Sequence, residues 1–442
     1  MNERKIAANT LYEIRNKSAY INIALSKTFE KHTDLKANEK GLVTELVHGV
    51  TERAITLDYI VSEFSSVKLN KIAPKVLICL ELGIYQLLYM DKIPESAAVN
   101  ESVKLAKMFG GQRSGGFVNA VLRSVIRNKE NIAYPKEKNA YLSVYYSYPL
   151  EIVDLFLEEF GYDFTKDLLE SFYNKKSITL RCNMLKTTPE KLKNSLLNEN
   201  IESVIYKSDI FPELNCALTV DKINDIEKLE SYINGEFYIQ DIAAMMVTEV
   251  LAPKEGNVVL DMCASPGGKT THIAEKMNNS GKVFAFDVYE HKIKLIEENA
   301  KRLGINICSA KMFDSMTFSE EYVETADCVL VDAPCSGFGI LGKKPDIKYH
   351  KNVEDVDALA EISIKILDNA SKYVKHGGTL VFSTCTILKK ENECVVDNFL
   401  KNHEDFYLEP IKQINKENEG FVTLYPNVDN TDGFFICKLK KR

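Results

Sequence analysis

The stretch Val258–Thr271 reads VVLDMCASPGGKTT. An apolar run closes on a carboxylate, enters a Pro-Gly-Gly turn and continues into a helix-forming segment. That is a buried strand of a parallel sheet running into a ligand-side loop, since ligands in such sheets bind at the carboxyl ends of the strands. Gly267 and Gly268 let backbone approach a ligand closely, and the next helix opens with free N–H groups. A phosphate loop needs Gly-x-x-x-x-Gly-Lys-Thr, but Cys263 stands where the first glycine belongs. The dinucleotide fingerprint is absent too. The remaining common ligand is an adenosyl group without a phosphate chain, S-adenosylmethionine. Asp287, 26 residues after Asp261, ends the next strand and can accept both ribose hydroxyls. The plainer alternative is an ordinary α/β turn with a solvated aspartate.

Working outward, strand and helix alternate from about residue 236. Strands are predicted at Val258–Met262, Val283–Asp287, Cys328–Asp332 and Thr379–Ser383, with a late strand at Phe434–Leu439. Helices are predicted at Lys269–Met277, His291–Leu303 and Val356–Val374. The pattern is a parallel sheet covered by helices. Upstream, 176–235 mixes short strands (Ile178–Asn183, Ala217–Val220) with a helix opening near Thr188-Pro189, an α+β module. Residues 1 to about 130 carry only helical periodicity, as in Leu42, Leu46, Val47 and Val50, with breaks at Asp91–Pro94 and Gly110-Gly111. The expected domains are 1–135, all helical; 136–235, a helical linker plus the small module; and 236–442, Rossmann-like α/β.

Composition excludes several classes. The 442 residues are 45% apolar and 27% charged, a globular balance. The longest apolar stretch, Val76–Met90, is interrupted by Glu81 and is too short for a membrane span. The start, MNERKIAANTLYEIR, has no apolar signal core. A cytoplasmic location is therefore expected, where ten cysteines stay reduced. No Cys/His pair has zinc spacing, so no metal is expected, and a monomer is. Net charge is +6 over 1–140, −6 over 141–235 and −7 over 236–442, which suggests a polyanionic partner for the first third.

Two further strand ends carry chemistry. Asp332-Ala-Pro-Cys-Ser-Gly337 and Ser383-Thr-Cys-Thr386 bring Cys335 and Cys385 to the ligand side of the sheet. A lone cysteine is more often a small buried hydrophobe, but two at neighbouring strand ends suit cytosine chemistry. Carbon 5 of cytosine is a poor nucleophile. A thiolate adding to carbon 6 makes carbon 5 enamine-like, able to take a methyl from a sulfonium. Asp332 is placed to favour that addition at the base's N3 edge, and Lys269 is a source of positive charge that lowers the thiol pKa. The spacing does not say which cysteine attacks.

With these motifs, the sequence resembles the RNA cytosine-5 methyltransferases of the RsmB/Sun (Nol/Nop/Sun) family. Pro345-Asp-Ile-Lys348, Glu391-Asn-Glu393 and Asp432-Gly-Phe-Phe435 look like that family as well. The resemblance implies donor binding by Cys263, Ala264, Ser265, Pro266, Gly267, Gly268, Lys269, Asp287, Asp314 and Asp332. It implies that Cys385 is the nucleophile and that Cys335 assists product release. Arg181-Cys-Asn183 lies in a stretch similar to the family's RNA-binding extension, and Lys343-Lys344 stand where an Arg pair is usual, so the resemblance implies RNA contacts by Arg181, Lys343 and Lys344. Ser265 and Tyr349 replace the more common Ala and Trp. Leu42–Arg53, Leu82–Met90, Ile93–Lys107 and Gly115–Arg127 resemble the NusB RNA-binding domain. Arg123 and Arg127, four apart on a predicted helix, would meet phosphates there. That fusion implies a cytosine in 16S ribosomal RNA. A tRNA cytosine-5 methyltransferase and a non-catalytic RNA-binding scaffold are the alternatives.

Overall fold

A computed structural model describes residues 3–174, 177–223 and 225–442. The expected junction at 175–176 lies outside the described residues. The chain forms two compact units, 1–170 with 343–352 and 171–342 with 353–442.

The first unit is helical. Helices Glu3–Lys17, Ala37–Glu52, Ala54–Phe64, Pro74–Tyr89 and Glu95–Asn128 bury one apolar face each, with Leu46, Val47, Val50, Leu82, Val118 and Leu122 at the centre. The longest of them breaks at Gly111, whose φ of +79° lies in the left-handed region open to glycine.

This compact unit runs past the expected boundary at 135, since helices Lys138–Tyr146 and Leu150–Phe160 belong to it. Their aromatic cluster finds its partners there. Tyr145 packs edge-on to Tyr134, which stacks on Tyr59. Thr56 Oγ1 donates to the Val144 carbonyl at 2.6 Å, and Ser147 Oγ accepts from Ile55 N at 2.9 Å. The segment 343–352 also joins this unit. Asp346 Oδ2 accepts from Ile21 N at 2.9 Å. Lys348 Nζ donates to the Glu52 carbonyl at 2.7 Å and lies 4.1 Å from the Tyr148 ring centroid. Burial pushes the Lys348 ammonium down against the opposing pull of Glu52.

The second unit holds two sheets. β1 (Ile178–Cys182), β2 (Ser203–Ile205), β3 (Ala217–Val220) and β4 (Phe237–Ile239) form an antiparallel sheet in the order β2-β3-β1-β4. Helix Pro189–Asn198, capped by the Thr188 hydroxyl, closes its core with Leu192 and Leu196 against Leu180 and Leu218. The large sheet contains β5 (Val258–Asp261), β6 (Lys282–Asp287), β7 (Cys308–Met312), β8 (Ala326–Asp332), β9 (Val374–Thr384), β10 (Phe406–Leu408), β11 (Phe421–Leu424) and β12 (Phe434–Lys441). Its order is β10-β12-β9-β8-β5-β6-β7, with β11 beside β12. β7, β6, β5, β8 and β9 are parallel, and β12 is antiparallel to β9. The strand order turns around between β5 and β8, which opens a crevice at their carboxyl ends. No described helix is long and apolar enough to cross a membrane.

Candidate active site

Asp261, Asp287 and Asp332 end β5, β6 and β8 at that crevice. Each is the last residue of a mostly apolar strand, so its backbone is held by the sheet while its carboxylate emerges beside the turn. A cleft of about 420 Å³ lies there. Its walls include Cys263, Ser265, Asp287, Asp314 and Asp332, together with Tyr289, Phe313 and other apolar groups.

The floor is tightly wired. Asp261 is buried, and its Oδ2 accepts from Thr270 Oγ1 at 2.6 Å while Oδ1 has no partner. Burial pushes its carboxyl up to about 7, with the Asp332 charge adding and Thr270 opposing. Gly267, at φ +97°, turns the chain into helix Gly268–Lys276, and a Cβ there would press on Ile296 Cα at 3.3 Å. Asp287 Oδ1 accepts from Tyr289 N at 3.2 Å, and Oδ2 faces Lys292 Nζ at 3.4 Å. Asp314 is exposed at the rim, its Oδ1 accepting from Met316 N at 3.0 Å. Ala264, Pro266, Gly267, Gly268 and Lys269 shape the turn and its helix without lining the cleft itself.

A second group adjoins Asp332. Lys269 Nζ is 2.7 Å from Asp332 Oδ2, and Ser383 Oγ donates to Oδ1 at 2.8 Å. Burial opposes the charge on Lys269, but Asp332 and then Cys385 prevail and hold its pKa above the ordinary lysine value. The sulfurs of Cys335 and Cys385 are 3.2 Å apart. The loops that carry them meet backbone to backbone: Gly339 N donates to the Cys385 carbonyl at 3.0 Å, and Gly433 N to the Gly339 carbonyl at 2.8 Å. A Cβ on Gly339 would lie 2.1 Å from the Gly433 carbonyl oxygen, so only glycine fits. The Cys335 thiol is held well above its usual range by its hydrogen bond with Cys385 and by burial.

Three residues expected to be functional are placed elsewhere or differently. Arg181 is wholly buried, which overturns its expected contact with RNA. Nε and Nη2 bind Glu275, Nη2 also binds Thr271 Oγ1, and Nη1 binds Gln240 Oε1 and the Gly268 carbonyl. All five N–H donors are thus filled, leaving none for a phosphate. Lys343 and Lys344 are exposed, and they stand at the start of the segment that joins the helical unit, not in the catalytic one. Arg123 and Arg127 are exposed along one helix, Arg123 Nε donating to Asn119 Oδ1 at 3.1 Å.

Some groups at or near the site carry no motif of their own. Lys292 and Tyr289 follow a strand end already singled out, and that position was the available signal. Cys216, Glu249 and His272 gather with ligand atoms within 4.8 Å of one another, although they are far apart in sequence. Lys276 Nζ sits 2.8 Å from Glu249 there, and burial pushes the His272 imidazole down to about 4. The charge of Glu249 is therefore answered by the chain itself.

Residues 248–440 match the family described as 16S rRNA methyltransferase RsmB/F, and residues 1–127 match the NusB family. The chain is 38% identical over 453 aligned positions, 99% of its length and 98% of the relative's, to a protein of Bacillus subtilis (strain 168) named "Probable ribosomal RNA small subunit methyltransferase B". This chain belongs to the ribosomal RNA small subunit methyltransferase B family. Among solved structures, that of PH0851 is 26% identical with a TM-score of 0.83, covering 100% of this chain and 99% of the other. That of "NSun6 from Pyrococcus horikoshii with SFG" is 25% identical with a TM-score of 0.56, covering 70% of this chain and 98% of the other.

The cofactor of this methyltransferase family member is S-adenosylmethionine. The residues present fit it. Asp287 offers a carboxylate to a ribose, the cleft walls offer apolar surface to an adenine, and Asp261 keeps an unpartnered oxygen beneath the glycine turn.

Proposed function

We propose that this chain methylates carbon 5 of a specific cytosine in 16S ribosomal RNA through a covalent cysteine adduct. The observation that carries this reading is the pair of sulfurs 3.2 Å apart at adjoining strand ends, next to Asp332 and the cofactor cleft. A methyltransferase acting on an exposed nitrogen or hydroxyl has no use for two facing thiols. Carbon 5 of a pyrimidine needs one to add and a second group to help release.

Bound S-adenosylmethionine supplies an electrophilic methyl group. The chain supplies the rest. The Cys385 sulfur adds to carbon 6, with the Lys269 ammonium close enough to favour its thiolate. As electron density moves into the ring, N3 takes a proton from water and its N–H donates to Asp332, which Lys269 and Ser383 hold in place, and that proton returns to water when the sulfur leaves carbon 6. After methylation, Cys335, its own proton given up to water once its bond with Cys385 is gone, takes the carbon 5 proton, and the electrons of the C–H bond restore the ring double bond as Cys385 leaves carbon 6 as a thiolate. Cys335 is suited to this late role. Its hydrogen bond with Cys385 keeps its proton on at rest, and that bond changes once Cys385 is joined to carbon. The ribosomal substrate follows from the family, and the NusB-like first unit agrees with it.

The two thiols separate by experiment. Cys385→Ala should lose methyl transfer and form no adduct. Cys335→Ala should still attack and methylate, then stall as a protein–RNA species that survives denaturing electrophoresis. The double variant should form none, because attack precedes release. An adduct persisting in Cys385→Ala would reverse the roles, and full turnover in both single variants would end the covalent mechanism. Bisulfite mapping with and without the protein would place the cytosine in 16S RNA or move it to tRNA.

A further inference from the structure

The two cysteines are chemically identical and almost touch, yet the proposed mechanism assigns them opposite roles. Something in the fold must break that symmetry. Glu391 is buried to 1% exposure in the turn that follows Cys385. Both its oxygens are taken by the residue after Cys335: Ser336 N donates to Oε1 at 2.7 Å and Ser336 Oγ donates to Oε2 at 2.6 Å. The Ser336 hydroxyl also lies 3.0 Å from Thr386 Oγ1, the residue after Cys385. Asn392, next to Glu391, completes the clamp: Thr384 Oγ1 lies 2.5 Å from its Oδ1, and its Nδ2 donates to the Thr386 carbonyl at 3.1 Å. One acidic turn therefore grips both cysteine loops, but its charge lies on the Cys335 side.

The other flank carries a cation next to the Cys385 sulfur. Lys269, from the helix after the glycine turn, is the cation that senses Cys385. Asp332 at the end of β8 is already joined to Lys269, and Asp261 at the end of β5 lies behind it, bonded to Thr270. Among the described residues, the titratable groups named around the thiol pair are thus Lys269, Asp332 and Asp261 on one flank and Glu391 on the other.

We propose that Glu391 is a positioning residue that assigns the two thiol roles, its buried charge and its grip on Ser336 keeping Cys335 protonated and facing Cys385 so that Cys385 is the sulfur that ionises. This rests on the covalent reading above for its catalytic meaning, though the ordering of the thiols can be measured apart from it. In physical terms, a proton shared by two sulfurs settles on the one nearer a fixed negative charge. At rest Cys335 S–H donates to the Cys385 sulfur, and no net bond is made or broken until the base arrives.

The test is limited alkylation of the full-length protein with iodoacetamide across pH 6 to 10, with Cys335 and Cys385 peptides quantified by mass spectrometry. The wild-type protein should be modified at Cys385 at a lower pH than at Cys335. Glu391→Gln keeps the shape of the clamp and removes its charge. It should raise Cys335 modification at a fixed pH about tenfold, the effect of one pKa unit, and shift the alkaline limb of the methyl-transfer pH profile. Glu391→Asp should return the order to that of the wild type. Lys269→Met should slow alkylation of Cys385 and leave Cys335 unchanged, which tests the opposite flank if Glu391→Gln does not fold. The proposal is overturned if wild-type Cys335 reacts first, or if folded Glu391→Gln keeps wild-type reactivity at both thiols. Methyl transfer that survives Cys385→Ala while the alkylation order holds would overturn the covalent reading alone.

Discussion

At the scale of the residue, the site is built from carboxylates whose surroundings differ. Asp287 is held at the mouth of the cleft by one backbone N–H and by Lys292, so its oxygens can be shared with a ribose. Asp287→Ala should weaken S-adenosylmethionine binding by about 1–3 kcal/mol, the scale of hydrogen bonds to a charged group. Calorimetry finding unchanged affinity in the folded variant would remove Asp287 from the site. Asp261 is the reverse case, a buried carboxyl that accepts from Thr270 Oγ1 and is bonded by the Cys263 backbone. Its folded pKa of about 7 stands above the ordinary 3.8, so the folded state holds its proton more tightly than the unfolded chain. That contribution to stability is complete below about pH 4 and is lost as pH rises through about 7. The shift corresponds to about 4 kcal/mol at about 1.4 kcal/mol per unit. Asp261→Asn should therefore flatten the fall in stability between about pH 5 and 8, read from urea unfolding at each pH. An unchanged slope would mean that Asp261 is ionised throughout.

At the scale of the element, the small β-sheet is tied to the cofactor turn by one side chain. Arg181 lies on β1, yet its guanidinium grips the Gly268 carbonyl, Thr271 and Glu275 on the helix that opens at the turn, and it stacks over Tyr238 on β4 at 5.2 Å. Removing it would strand a buried carboxylate and two carbonyl-type acceptors. Arg181→Ala should cost about 3–5 kcal/mol, as expected for breaking a buried ion pair. It should also weaken S-adenosylmethionine binding without changing the salt dependence of RNA binding. A change confined to the salt dependence would restore the RNA role first expected for it. The strands and helices themselves were legible. Val258–Asp261, Lys282–Asp287 and Ala217–Val220 match or nearly match their predicted spans, because a buried strand needs an unbroken apolar run and a turn after it. β7, with the mixed run Cys308–Met312, escaped notice. It is an edge strand and stays half exposed, so no apolar run marks it.

At the scale of the whole molecule, the net charge of −7 conceals a basic first third. Arg123 and Arg127 belong to it, exposed and four apart on one helix. Changing both to Ala should weaken RNA binding and reduce its salt slope by about one to two units, about one for each phosphate that is no longer neutralised. A slope equal to that of the wild type would leave them as solvated surface. The sequence by itself determined the strand–turn–helix order of the catalytic part, the helical first third, the cofactor turn and the two cysteines at strand ends. All of these are local patterns, set by periodicity and by which residues a turn can accept. Tertiary structure alone decided the rest. Arg181 reads as a nucleic-acid contact until its five donors are counted. Residues 343–352 read as a loop of the catalytic domain until Asp346 and Lys348 are seen hydrogen-bonded to Ile21 and Glu52. The inequality proposed for Cys335 and Cys385 lies in neither cysteine. It comes from a carboxylate 56 residues after one and six after the other, and charge acts through space, where sequence spacing gives no measure of distance.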